Sequence, residues 1–183
     1  MDAGRTAIGV CFAIVALAAV WDLLSGEIPN VLTVGGVALG IALRAGVGYT
    51  ESGWHGALVG VGWAFAGIGL CAILPLISYI RGEIGGGDVK LFAAIGALCG
   101  PLLGYNAEAW TYGLVIVAVY PFRLVRYGAV RATFKGAQAS VTNLFRPREE
   151  RVALPALKLP RFVLGPTIFA GLCVAFTFHG VFR

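Results

Sequence analysis

Two acidic residues stand out by their position. Asp22 ends one apolar run and Asp88 begins another. They lie sixty-six positions apart, yet each falls where an apolar segment meets polar sequence. A fold that brings those segment ends together makes them neighbours. Two adjoining carboxyl groups cannot both ionise easily, so they share a proton and titrate as a pair. In that state one group takes a proton from water while the other polarises a carbonyl. Peptide hydrolysis then needs no metal, no cofactor and no covalent nucleophile. A Ser or Cys nucleophile would want a base at hand, and His55 and His179 are expected at the opposite face, near helix ends and without partners.

The flanking residues add detail. Asp88 follows Gly85-Gly86-Gly87 and precedes Val89-Lys90. The glycines are expected to permit unusual backbone dihedrals and a close approach by an extended peptide. A phosphate-binding loop is the competing reading, but its Gly-Lys-Ser/Thr ending is absent, and an acid directly after the glycines would repel phosphate. No nucleic-acid partner is expected. Asp88 at a helix N-terminus should ionise readily, whereas Asp22 near a helix C-terminus should hold its proton. Asp88 is therefore expected to be the base and Asp22 the acid, with Lys90 adding positive potential.

The elements that must position these residues belong in lipid. Of 183 residues, 58% are hydrophobic and 13% charged, against about 25% charged in a soluble domain. The expected fold class is all-α: a polytopic membrane protein of six transmembrane helices, at Ala7 to Leu24, Ile28 to Val47, Trp54 to Tyr79, Val89 to Gly104, Ala107 to Phe122 and Phe162 to Phe182. Residues 1–183 are read as one transmembrane peptidase domain. The N-terminal run, with Leu17-Ala18-Ala19, could be mistaken for a cleavable signal. It continues into Trp21 and Asp22, so it is read as a span. The small-residue pairs Gly36/Gly40, Gly56/Gly60, Gly96/Gly100 and Gly100/Gly104 suit close helix packing. Cys11, Cys71, Cys99 and Cys173 stand singly in apolar sequence and are read as packing residues.

With six spans, Arg5, Arg44 and Arg183 lie on one side and the other basic residues opposite. The positive-inside rule puts that basic side in the cytoplasm and both termini outside. The basic connection, 123–161, carries Tyr127, Val130, Phe134, Ala137, Val141 and Leu144 at steps of three and four, bordered by Arg126, Arg131 and Lys135. This predicts an amphipathic helix on the anionic inner leaflet, so the bilayer itself is an expected partner. Pro147, Pro155 and Pro160 are expected to break helix beyond it.

Asp22-Leu23-Leu24-Ser25-Gly26-Glu27-Ile28-Pro29-Asn30 resembles the first aspartate motif of the type IV prepilin peptidase family. Gly85-Gly86-Gly87-Asp88-Val89-Lys90-Leu91 resembles its second, the Gly-x-Gly-Asp signature. Gly165-Pro166 at the start of the last span is also similar to the family. The resemblance implies Asp22 and Asp88 as the catalytic pair, supported by Ile28, Pro29, Asn30, Gly85, Gly86, Gly87 and Lys90. It also implies a substrate class: a prepilin with a short basic leader peptide and an adjoining hydrophobic segment, cut at their junction on the cytoplasmic side. Longer members carry paired cysteines in a cytoplasmic region linked to N-methylation. Their absence here points to the peptidase-only branch, of the Flp, tight-adherence or preflagellin type.

Two other readings compete. Presenilin-like intramembrane proteases share Gly-x-Gly-Asp, and Pro155-Ala156-Leu157 echoes their Pro-Ala-Leu, but the context of Asp22 differs from theirs. A small cation or proton transporter could use two interfacial aspartates. The halves of this chain show no repeat to support it.

Overall fold

The computed structural model describes residues 3–144 and 163–179. These fall into two compact units, one formed by Met1–Gly113 with Phe162–Arg183 and the other by Leu114–Arg161. The described residues are helical throughout, joined by short turns.

In the first unit, α1 (Ala3–Ser25) ends at Gly26, whose φ of +71° is the left-handed conformation that closes a helix with little cost only at glycine. Its amide bonds back to the Asp22 carbonyl at 2.9 Å. α2 (Asn30–Ile80) follows, with Pro29 as its N-cap. It is continuous except at Ser52 and Gly53, where Gly53 adopts φ +61° and ψ −145°, a region essentially closed to residues bearing a Cβ. That break divides α2 into two halves corresponding to the second and third expected segments. The halves touch backbone to backbone: a Cβ at Gly48 or Gly56 would overlap the other's carbonyl, and one at Gly60 would overlap that of Arg44.

The core is α3 (Gly86–Cys99), in which Leu91, Phe92 and every residue from Ala94 to Cys99 are buried. A helix buried on almost every side has no solvent stripe to preserve. Glycines on α2 make this possible: Gly36 sits over Ala94, Gly40 over Ala97, and Gly67 meets the Gly96 carbonyl. α4 (Pro101–Leu114) packs Gly104 on the Cys71 thiol. α7 (Gly165–Phe178) lies between α1 and α4, through Phe12 and Phe169 at 5.0 Å, Trp110 stacked on Phe178 at 5.1 Å, and Gly171 against Thr111.

Several boundaries differ from expectation. The fourth apolar segment is not one helix, because α3 stops at Cys99 and α4 begins at Pro101, with Gly100 at φ +80° between them. The last span's helix begins at Gly165, later than expected, with residues 163–164 not helical; Pro166, in its first turn, requires no amide donor there. His179, expected to lack a partner, meets the Asn106 amide nitrogen through Nε2 at 2.9 Å. Cys11, Cys71 and Cys99 are buried free thiols and Cys173 is a half-buried one, in keeping with packing roles.

In the second unit a π-helical turn (Val115–Val119) leads to α5 (Tyr120–Arg126). Pro121 has no amide proton to continue the ladder, which gives a reason for the widened turn just before it. Gly128 ends α5, and α6 (Val130–Leu144) follows as the expected helix in the connection. Val130 and Phe134 are exposed, as are Arg131 and Lys135. Pro147, Pro155, Pro160 and the Pro155-Ala156-Leu157 echo lie outside the described residues.

By length and composition Arg5–Ser25, Asn30–Ile80 and Pro101–Arg126 can each cross a membrane, and Gly165–Phe178 is a shorter apolar helix. Large apolar side chains face outward, with Val31 83%, Trp54 77% and Ile80 76% exposed. A water-facing surface would not be built this way, and the chain is a membrane protein.

Candidate active site

The first motif is a helix end, a turn and a helix start. Asp22 lies on the last turn of α1, and Ser25 Oγ donates to the Trp21 carbonyl at 2.8 Å while receiving the Glu27 amide at 3.4 Å. Ile28, Pro29 and Asn30 then enter α2. The second motif opens α3, with Gly85 as N-cap and Asp88 in the first turn. The two motifs meet directly. Lys90 Nζ donates to Asn30 Oδ1 at 2.8 Å, and a Cβ on Gly87 would lie 3.2 Å from the Cβ of Ile28.

The three glycines therefore act by what approaches them. None of Gly85, Gly86 or Gly87 has a positive φ, contrary to the expectation of unusual dihedrals. Gly87 admits Ile28, a Cβ on Gly86 would lie 3.5 Å from the Tyr79 ring, and Gly85 leaves room for the Asp88 carboxyl. Lys90 is positioned by Asn30, which explains its place in the motif more directly than a diffuse positive potential.

Asp22 and Asp88 are 5% and 8% exposed. Each carboxyl accepts one backbone amide. Gly85 N–H donates to Asp88 Oδ2 at 3.0 Å, reaching from N-cap to third residue as in a capping box. Gly165 N–H donates to Asp22 Oδ2 at 2.7 Å. Gly165 is the first residue of α7, so Asp22 stands both at the C-terminal end of its own helix and against the N-terminal end of another. A Cβ on Gly165 would lie 2.7 Å from Asp22 Oδ2 and 2.9 Å from Asp22 Cβ, so only glycine fits without displacing the acid.

Asp88 lies just before the apolar stretch of α3. Burial pushes its carboxyl up to about 6; the Gly85 amide pulls the other way, and the charge of Asp22 adds to the rise. Asp22 thus stands close enough for its charge to reach Asp88. Asp88 is therefore not the readily ionised partner expected from the dipole of α3, because desolvation outweighs that dipole.

Sequence reasoning missed three residues nearby. The Gly165 amide carries no side-chain signature, although Gly165-Pro166 marked the place. Glu108 is fully buried in α4 with neither carboxyl oxygen hydrogen-bonded, and the Tyr112 hydroxyl one turn on is likewise buried. Tyr112 stacks on Phe92 at 6.1 Å, and Phe92 is one turn beyond Asp88. A lone carboxyl in an apolar run was the available signal for Glu108.

No curated protein and no solved structure matches the chain significantly. The profile of the type IV leader peptidase family matches residues 9–124, a stretch holding both aspartate motifs. That match covers more than half the sequence, and the chain belongs to the type IV leader peptidase family.

Proposed function

We propose that this protein is an aspartic endopeptidase. It removes the leader from prepilin-like precursors at the cytoplasmic face of the membrane, using Asp22 and Asp88 to activate water. What supports the reading is that two acids remote in sequence are both buried where the two motifs meet. Each is fixed by a glycine amide at a helix N-terminus, and the charge of one is felt by the other.

In the proposed cycle the pair holds one proton, carried by Asp88, whose burial favours the neutral form. Each amide bond takes an Oδ2, leaving the Oδ1 atoms for water and substrate. Asp22 accepts a proton as water adds to the scissile carbonyl, and Asp88 donates its proton to the carbonyl oxygen. The tetrahedral adduct collapses when the nitrogen of the leaving amine takes the proton from Asp22, and Asp88 recovers its own. The substrate's hydrophobic segment stays in lipid while its basic leader remains in water. The six-crossing reading counts α1, both halves of α2, the broken α3 to α4 region as two crossings, and α7, with both termini outside.

Co-expression with a candidate prepilin tests this, with leader loss read as a mobility shift on a gel. The wild type is expected to convert the precursor, while Asp22→Asn and Asp88→Asn should each abolish conversion. Full conversion by either variant defeats the dyad. A cut within the apolar segment of the substrate would favour the intramembrane-protease reading.

A further inference from the structure

We propose that the cavity framed by the break in α2 binds a zwitterion bearing a phosphate and a primary ammonium, the chemistry of a phosphoethanolamine headgroup. The cavity holds about 480 Å³ and is lined by Arg44, Glu51, Ser52, His55 and Trp63, among apolar neighbours including Ala7. That volume is within the range of small-ligand sites. It lies far from the proposed peptidase centre, since Ala7 and Asp22 are fifteen residues apart on α1, about 22 Å at 1.5 Å per residue. The inference therefore does not depend on the peptidase reading.

The charges are arranged for an ion of both signs. Arg44 is held in place: Nε donates to the Ala97 carbonyl at 3.3 Å and Nη2 to the Leu98 carbonyl at 3.1 Å, at the C-terminal end of α3. A guanidinium has five N–H donors, so three remain for a phosphate, and the planar group is well matched to one. Glu51, beside the break, supplies the acceptor for an ammonium, and His55 lines the same cavity from just across the break.

Two further observations favour a lipid as the source. Tyr49 and Trp54, exposed and edge to face at 5.4 Å, flank the break, and such residues gather at headgroup depth. Arg44 and Trp63 also border a second cavity of about 320 Å³, walled by Cys99, Pro101, Leu102 and Leu103. Apolar space adjoining a charged pocket suits an amphiphile.

Native mass spectrometry of the purified full-length protein tests the site, with phosphatidylethanolamine, phosphatidylcholine and free phosphoethanolamine as probes. One equivalent of phosphatidylethanolamine is expected to be retained in preference to phosphatidylcholine, whose trimethylammonium has no N–H to give Glu51. Glu51→Gln and His55→Ala change exposed side chains and should keep the helical circular dichroism, while weakening retention about tenfold each. Stoichiometric binding of free phosphoethanolamine, sensitive to the same variants, would support the chemistry and assign it to a soluble ligand. Equal retention of both lipids, or retention unchanged in Glu51→Gln, would overturn the proposal.

Discussion

Asp88 holds its proton in the folded protein at a pH where an ordinary carboxyl has lost it, and this has a measurable sign. Between the usual carboxylate range and about 6 the native protein binds more protons than the unfolded chain, so this group's contribution to stability is lost as pH rises through that window. Infrared difference titration should show a protonated carboxyl disappearing near pH 6. Asp22→Asn should move that midpoint downward, because it removes a charge that raises it; an unmoved midpoint would mean the acids do not interact. Gly165→Ala tests the other acid. Its methyl must displace the Asp22 carboxyl, and a displacement approaching 1 Å at a catalytic group costs about 100-fold in rate. Leader cleavage should fall by that order while the protein remains folded, and unchanged cleavage would dismiss the clamp. Both aspartates were legible in the sequence because ionisable residues beside apolar runs are costly and few. The Gly165 bond was not, since a backbone amide looks the same at every residue. Glu108 was overlooked because one carboxyl barely changes the mean hydropathy of its run.

Among the elements, α3 depends most on the absence of side chains around it. Gly67 and Gly96 meet backbone to backbone, and a methyl on either would overlap the other's carbonyl. Gly96→Ala should therefore destabilise the protein by about 3 kcal/mol or more, seen as a lower midpoint in thermal unfolding in detergent. Gly62→Ala and Gly69→Ala, where the added methyl meets open space, should leave that midpoint nearly unchanged. Periodicity and hydropathy located the helices well, and the amphipathic stripe from Tyr127 onward anticipated α6. They ran the fourth segment through Gly100-Pro101 because both residues sit in apolar surroundings; the local backbone preferences there end one helix and begin another. The glycine pairs pointed to tight packing but could not name its partners, which are set by tertiary structure. Gly67, outside those pairs, makes one of the closest contacts.

At the scale of the whole molecule, the proposed orientation puts the aspartate end of the first unit in the cytoplasm and the α2 break outside. Single cysteines at Ser25 or Glu83, on a cysteine-free background, should react with a membrane-impermeant maleimide only in inverted vesicles. Those at Thr50 or Trp54 should react only from the outside of intact cells. The reverse pattern would refute the orientation. The basic residues supplied that expectation from sequence, whereas no sequence pattern announced that the first helix and the last must meet. The Asp22 carboxyl takes its amide from a residue 143 positions later. A ribosome-bound chain that has not yet exposed Gly165 lacks this contact, even with both acid motifs already in the bilayer. On the proposed function, synthesis itself would set a delay, with no cutting until the closing helix has docked.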